Sequence, residues 1–241
     1  MTQQPATELD LELSRLDSEY RRRDSAGYPD ERYGLFDEAT LLHSECLERN
    51  LLALLKRHNF TDLAGRRILE VGCGSGDLLR RFLEYGAFPT NLSGIDLMAH
   101  RIELARSLHP GIDWQVGSAH QLPYPDDSFD LVMSFALFSS ILSESLRQEI
   151  AKEMWRVRKP GGLILLHDFM YPNPRNPAVR GITRQRIRKL FNRPGAAFDF
   201  RRIVLAPPIS RTVAAHAWWL ASTLEQLKIV NTHTIGIISL D

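Results

Sequence analysis

Short apolar runs alternate with amphipathic stretches of helical period through most of the chain, which is the pattern of a parallel sheet with helices on both faces. Leu9, Leu13, Leu16 and Tyr20 fall on one helical face, which breaks at Ser25-Ala26-Gly27-Tyr28-Pro29. A second helix is predicted from Asp37, as N-cap, to His58, with Leu42, Leu47, Leu51, Leu54 and Leu55 inward. Strands are predicted at Ile68–Val71, Leu92–Asp96, Ile112–Val116 and Phe129–Phe135. Helical periods follow the first two, from Asp77 to Leu83 and across Ile102, Leu104, Ala105 and Leu108. A helix from Ser143 to Val157 stops at Pro160-Gly161-Gly162, and Leu163–Leu166 form a fifth strand ending in His167-Asp168-Phe169. A short helix after Thr183, a strand Phe198–Leu205 closed by Pro207-Pro208, one amphipathic helix Arg211–Lys228 and a strand Ile235–Leu240 complete the chain. No repeat or low-complexity linker interrupts this order. A single domain over 1–241 is therefore expected, with a helical cap (1–60), a core (61–170) and a closing segment (171–241).

Composition narrows the field. With 241 residues, 44% hydrophobic and 24% charged, the chain can bury a substantial core. A net charge of +1 argues against a nucleic-acid partner. No apolar run reaches the length of a membrane span, and the start lacks the basic and apolar parts of a signal peptide. Two cysteines, Cys46 and Cys73, are too few for a disulfide framework or a metal site and suit a reducing cytoplasm.

The chemistry concentrates at Ile68-Leu69-Glu70-Val71-Gly72-Cys73-Gly74-Ser75-Gly76. A strand turning through glycines into a helix lets a ligand approach the backbone closely and leaves N–H groups bare. About twenty residues on, Asp96 ends the second strand, where a carboxylate accepts hydrogen bonds from a ribose diol. The spacing is not G-x-G-x-x-G. Asp77 occupies the third-glycine position, where its charge would face the phosphates of a dinucleotide.

The spacing E-x-G-x-G-x-G instead resembles motif I of the class I S-adenosylmethionine (SAM) methyltransferases. Leu122-Pro123-Tyr124-Pro125-Asp126-Asp127-Ser128-Phe129-Asp130-Leu131-Val132 and Met154-Trp155-Arg156-Val157-Arg158-Lys159-Pro160-Gly161-Gly162 extend the resemblance toward the ubiquinone/menaquinone biosynthesis methyltransferases. It covers about Ile68 to Phe169. It implies a Rossmann-like sheet of seven strands in the order 3-2-1-4-5-7-6, the seventh antiparallel. SAM is then the methyl donor and S-adenosylhomocysteine the product. The matching positions make Glu70, Gly72, Cys73, Gly74, Gly76, Asp96, Leu97, Ser118, Ala119, His120 and Phe135 cofactor contacts, with Tyr33 as a lid. The family's aspartate after the glycine of the third strand is Ser118 here, so Ser118, Ala119 or His120 takes its adenine contact.

Ser134-Phe135-Ala136-Leu137 stands where methyltransferases of planar amino groups carry an Asn/Asp-Pro-Pro-aromatic motif, so a small-molecule acceptor is favoured. His167, beside the expected crevice and with an ordinary pKa of about 6.5, is the candidate general base. Tyr28 and Trp219 are candidate acceptor contacts. From Arg175 to Arg211 ten basic residues face one acid, Asp199. Guanidinium groups suit phosphate or carboxylate, so an anionic acceptor held by Arg175 and Arg180 is expected. No metal is expected. The competing readings are a SAM-binding module without methyl transfer and an NAD-linked oxidoreductase, the latter disfavoured by Asp77.

Overall fold

The computed structural model describes residues 7–25, 34–172 and 176–240. Seven strands form one sheet in the order β3-β2-β1-β4-β5-β7-β6, as the resemblance implies. They are β1 (Ile68–Val71), β2 (Leu92–Asp96), β3 (Asp113–Val116), β4 (Phe129–Phe135), β5 (Arg158–Phe169), β6 (Ala196–Leu205) and β7 (Asn231–Leu240). β1 is buried along its whole length and pairs in parallel with β2 on one side and β4 on the other. The strand order reverses at β1, so a crevice opens beyond the carboxyl ends of β1 and β4, the place where open α/β sheets bind ligands. β7 runs antiparallel to both β5 and β6.

Helices cover both faces. α2 (Glu38–Arg57) starts where expected: the Asp37 carboxylate accepts from the Thr40 N–H at 2.8 Å. Its Leu51, Leu54 and Leu55 pack with Leu165, Ile235 and Ile237 of the sheet. α5 (Glu144–Val157), capped by the Ser143 hydroxyl, lays Leu146, Ile150 and Met154 on the opposite face against Ile164, Leu166 and Ile238. The remaining helices are α1 (Glu8–Ser25), α3 (Arg81–Glu84), α4 (Ala99–Leu108), α6 (Arg184–Leu190), α7 (Pro207–Val213) and α8 (Trp218–Leu227).

Three elements differ from the sequence reading. The helix after the glycine turn is a single turn, α3, preceded by turns through 77–80. Pro160-Gly161-Gly162 ends α5 but lies inside β5, at a register shift between Phe129 and Leu131 of β4, with Gly161 at φ +73°. The predicted helix Arg211–Lys228 is two helices. β6 ends at Leu205 as expected, and Pro207 and Pro208 also start α7, because proline in the first turn of a helix loses no hydrogen bond. Ala217, at φ −151°, then breaks the period before α8 restarts. The sequence places Val213, Ala217, Leu220, Leu224 and Leu227 on the inward stripe, but the buried positions are Ala214, Ala221 and Glu225, and Leu227 is 59% exposed.

Candidate functional site

All three glycines of the turn have positive φ: +76° at Gly72, +54° at Gly74 and +83° at Gly76. Their roles divide. Gly72 and Gly74 line a cavity at the crevice, whereas a Cβ on Gly76 would lie 2.3 Å from the Trp114 ring. Gly76 therefore packs against Trp114 and, unlike Gly72 and Gly74, does not line the cavity. The bare N–H groups are also not as expected. Gly72 and Cys73 both donate to the Ile95 carbonyl, Gly76 to that of Cys73, and Gly74 to the Asp96 carboxylate at 2.8 Å. The turn offers a ligand space more than free donors.

Asp96 is built as an acceptor. One oxygen takes the Gly74 N–H and the other the Met98 N–H at 2.9 Å. Of the roughly four lone-pair sites of a carboxylate, about two stay open toward the cavity. Glu70 and Cys73 do not line it. Burial holds the Glu70 carboxyl well above its usual range, only partly offset by the Leu79 N–H. Burial likewise pushes up the Cys73 thiol, beside Glu70 and Asp96, and Cys73 sits in the core. Leu97, Ser118, Ala119 and Phe135 do line the cavity. His120 stands behind them, its Nδ1 2.6 Å from the Ser118 hydroxyl.

The cavity measures about 860 Å³. Its roof is α1, through Leu13, Leu16 and Tyr20, a role that the sequence reading gave to the segment after this helix. Tyr33, the expected lid, and Tyr28 lie outside the described residues. α1 is pinned at both ends. The buried Glu12 carboxylate accepts from the Leu142 and Ser143 N–H groups at the start of α5. Burial raises its pKa, but Arg15 and these N–H groups more than offset that and hold it low. At the other end Asp24 pairs with His100 and Arg101 of α4, and the Arg101 guanidinium sits 4.7 Å from the Tyr20 ring centre.

The far wall is different in kind. Leu163, Leu165 and His167 alternate toward α2, and Asp168 points to the opposite face. There Asp168 accepts from the Ser139 and Phe169 N–H groups, and burial pushes its carboxyl up to about 6. The His167 ring stacks on His233 of β7 at 5.3 Å, 6.2 Å from the ring of His43 of α2 and 5.4 Å from Phe135. Burial pulls the His167 pKa well below 6.5, helped by the two other imidazoles. Burial, with Arg81 nearby, takes His43 down to about 4, and burial beside His43 takes His233 down to about 3. The near-neutral base expected at His167 is thus a buried, weakly basic imidazole.

Of the expected acceptor contacts, Arg175 lies outside the described residues. Arg180 is exposed, next to the cavity-lining Val179, and its N–H donates to the Ser139 carbonyl at 2.8 Å. Trp219 is 72% exposed and lines nothing. Much of the basic block holds structure: Arg184 donates to Thr234, Arg202 to Asn231 and Tyr171, and Arg188 and Arg193 lie over aromatic rings. Arg211 of α7, one of the same block, does line the cavity.

This sheet order, with a glycine turn after β1 and an acid at the end of β2, defines the class I methyltransferase fold. Residues 68–162 match the family described as "Methyltransferase domain". The chain is 34% identical over 120 residues to phthiotriol/phenolphthiotriol dimycocerosates methyltransferase 1 of Mycobacterium ulcerans, covering 46% of this chain and 41% of that protein. It is 34% identical over 112 residues to the ubiquinone/menaquinone biosynthesis C-methyltransferase of Geotalea daltonii (44% and 46%). The matched segments span less than half the length of these curated relatives. Among solved structures, an S-adenosylmethionine dependent methyltransferase from Mesorhizobium loti superposes with TM-score 0.58 at 19% identity, covering 79% of this chain and 95% of that one. The [4+2]-cyclase SpnF does so with TM-score 0.57 at 19% identity (80% and 81%).

Proposed function

We propose that the chain transfers a methyl group from S-adenosylmethionine to a small-molecule acceptor in the cytoplasm. The observation that carries this reading is Asp96, fixed by the Gly74 and Met98 N–H groups at the edge of a cavity that Gly72 and Gly74 leave open. A fold shared with a cyclase does not choose a reaction, so the argument rests on these residues.

The residues fit the cofactor. Asp96 would accept from the ribose hydroxyls, Gly72 and Gly74 would admit the amino-acid part, and Leu97 and Ala119 would flank the adenine. Ser118, bonded to His120, would supply the polar edge contact. The bound cofactor supplies an electrophilic methyl group. The protein's part is then to hold the acceptor in line and to keep water out, and Leu13 and Leu16 of the roof serve the second task. A cavity of about 860 Å³ lies near the upper end of the roughly 300–1,000 Å³ of ligand pockets, which leaves room for an acceptor beside the cofactor.

Leu42, Val204 and Leu205 line the arm of the cavity toward α7 and suit an apolar portion of the acceptor. Relatives named for phthiotriol, quinone and fatty-acid substrates support the same reading. Arg211 on the wall, with Arg180 at the rim, suits an anionic group. Two free, buried cysteines accord with a reducing compartment. Among the described residues, no helix is long and apolar enough to cross a membrane.

The test is transfer of isotope-labelled methyl from SAM to a panel of fatty acids, quinols and hydroxylated carboxylates, read by mass. Labelled product with any of them supports the assignment. SAM binding without product across the panel would leave a binding module.

A further inference from the structure

His43, His167 and His233 reach one point from three elements far apart in sequence. His233 pairs across the ladder with Phe169, two residues from His167 and on the same sheet face, and α2 brings His43 over both. Each offers one ring nitrogen as a ligand atom, and these three atoms lie within 4.8 Å of one another. The Nε2 atoms of His167 and His233 are buried with no hydrogen-bond partner. Leaving buried nitrogens unpaired is costly, and in folded proteins such groups commonly find a bound ion or an ordered water.

We propose that these three imidazoles bind one divalent transition-metal ion of the zinc class, with its remaining coordination positions turned toward the cavity.

Three features support the assignment. Three neutral imidazoles without carboxylate or thiolate suit zinc, copper, nickel or iron and not magnesium or calcium. The His233 Nδ1 is 3.0 Å from the Thr232 hydroxyl, which can fix the tautomer that leaves Nε2 free, a common outer-shell device at metal-bound histidines. Finally, His43 and His233 line the cavity, so the open positions can be reached from it.

A tetrahedral ion with nitrogens at about 2.0–2.1 Å needs them roughly 3.4 Å apart. The ligand nitrogens must therefore close by at most little more than an ångström, through small side-chain torsions of the three histidines. Two buried positive charges also call for an anionic partner. Water that loses its proton, or an ionisable acceptor oxygen, could reach the open positions from the cavity. The site would thus select acceptors with such an oxygen. That last step rests on the methyl-transfer reading; the metal site does not.

The full-length chain, stripped with a chelator and dialysed, is titrated with Zn²⁺, Co²⁺ and Mg²⁺ by calorimetry, and with Co²⁺ by its visible absorption. One Zn²⁺ or Co²⁺ per chain is expected, and no Mg²⁺. His43 is half-buried in the first turns of α2, where alanine suits the helix. His43→Ala should weaken Zn²⁺ at least about tenfold while the denaturant midpoint stays in place. His233→Phe, which keeps ring volume, should do the same. Wild-type protein that is folded yet binds neither ion would overturn the proposal, as would unchanged affinity in both variants. SAM titration of the same preparations keeps the two readings apart. Metal binding without SAM binding would overturn only the methyl-transfer reading.

Discussion

The two ends of the cavity are made by opposite means. At the β1–β2 end, one continuous stretch does the work: Gly72 and Gly74 open the space and Asp96, about twenty residues on, is held by backbone N–H groups of the same loops. At the β5–β7 end, His43 and His233 line the wall with His167 buried beside them; strand pairing joins positions 167 and 233, and the docking of α2 adds position 43. The first end depends on backbone conformation and tolerates few residue types at its turn. The second depends on packing, and its chemistry comes from burying side chains that water would otherwise protonate. A local motif survives as a pattern in the sequence, whereas a long-range assembly does not.

The largest effect belongs to the first end. If Gly76 is a packing residue, Gly76→Ala forces positive φ on a side chain whose Cβ meets Trp114 at 2.3 Å. Backbone strain and overpacking together should cost roughly 2–5 kcal/mol of stability, read by urea unfolding. A loss below the lower figure would return Gly76 to ligand contact.

The second end should show in the pH dependence of the metal-free protein. His43 and His233 have folded pKa values of about 4 and about 3, below the unfolded value near 6.5. Their neutral burial therefore contributes stability above pH 6.5 that is lost as pH falls toward the folded values. By pH 5 each should have lost roughly 2 kcal/mol. Comparing wild type with His233→Phe in chelator-containing buffer cancels other groups, Asp168 included. The variant should fall less steeply between pH 7 and 5, and parallel curves would mean that His233 is not buried neutral.

Smaller again is the anchor of the roof. Glu12→Gln keeps the shape but loses the charge that takes two backbone N–H groups and Arg15. A loss of about 1–2 kcal/mol is expected, with earlier proteolysis within α1. A wild-type cleavage pattern would detach the roof from this anchor. Last, Trp219→Ala should change stability by less than about 0.5 kcal/mol and leave the acceptor KM unchanged, because Trp219 is 72% exposed. A raised KM would restore it as an acceptor contact.

The strand order came from the family resemblance, whereas the strands, the helix cap at Asp37 and the helix starts near Ser143 and Thr183 were legible because buried strands and capping residues leave local marks. So were the cavity contacts Gly72, Gly74, Asp96, Leu97, Ser118, Ala119 and Phe135. The break at Ala217 was not, since alanine carries no stop signal and the apolar period runs through it. Beyond that break, Trp219 comes out on the exposed side of α8. The histidine wall had one usable signal. His167 and His233 continue the inward alternation of Leu163-Leu165 and Ile235-Ile237, and a polar residue at an inward position of a buried strand calls for a partner. His43 gave no such hint before α2 was placed. The Asp24–Arg101 latch between α1 and α4 joins charges that in sequence look like an ordinary solvated surface.

The central claim is that the Gly72–Asp96 end of the cavity holds S-adenosylmethionine, and calorimetric titration tests it directly. Wild-type chain should bind SAM and S-adenosylhomocysteine without added metal, and NAD not at all. Removing the charged acceptor with Asp96→Ala should cost roughly 1.5–3 kcal/mol, about tenfold to a hundredfold in affinity, while the denaturant midpoint shows the chain still folded. Equal SAM affinity in wild type and Asp96→Ala, or a preference for NAD, would contradict the account.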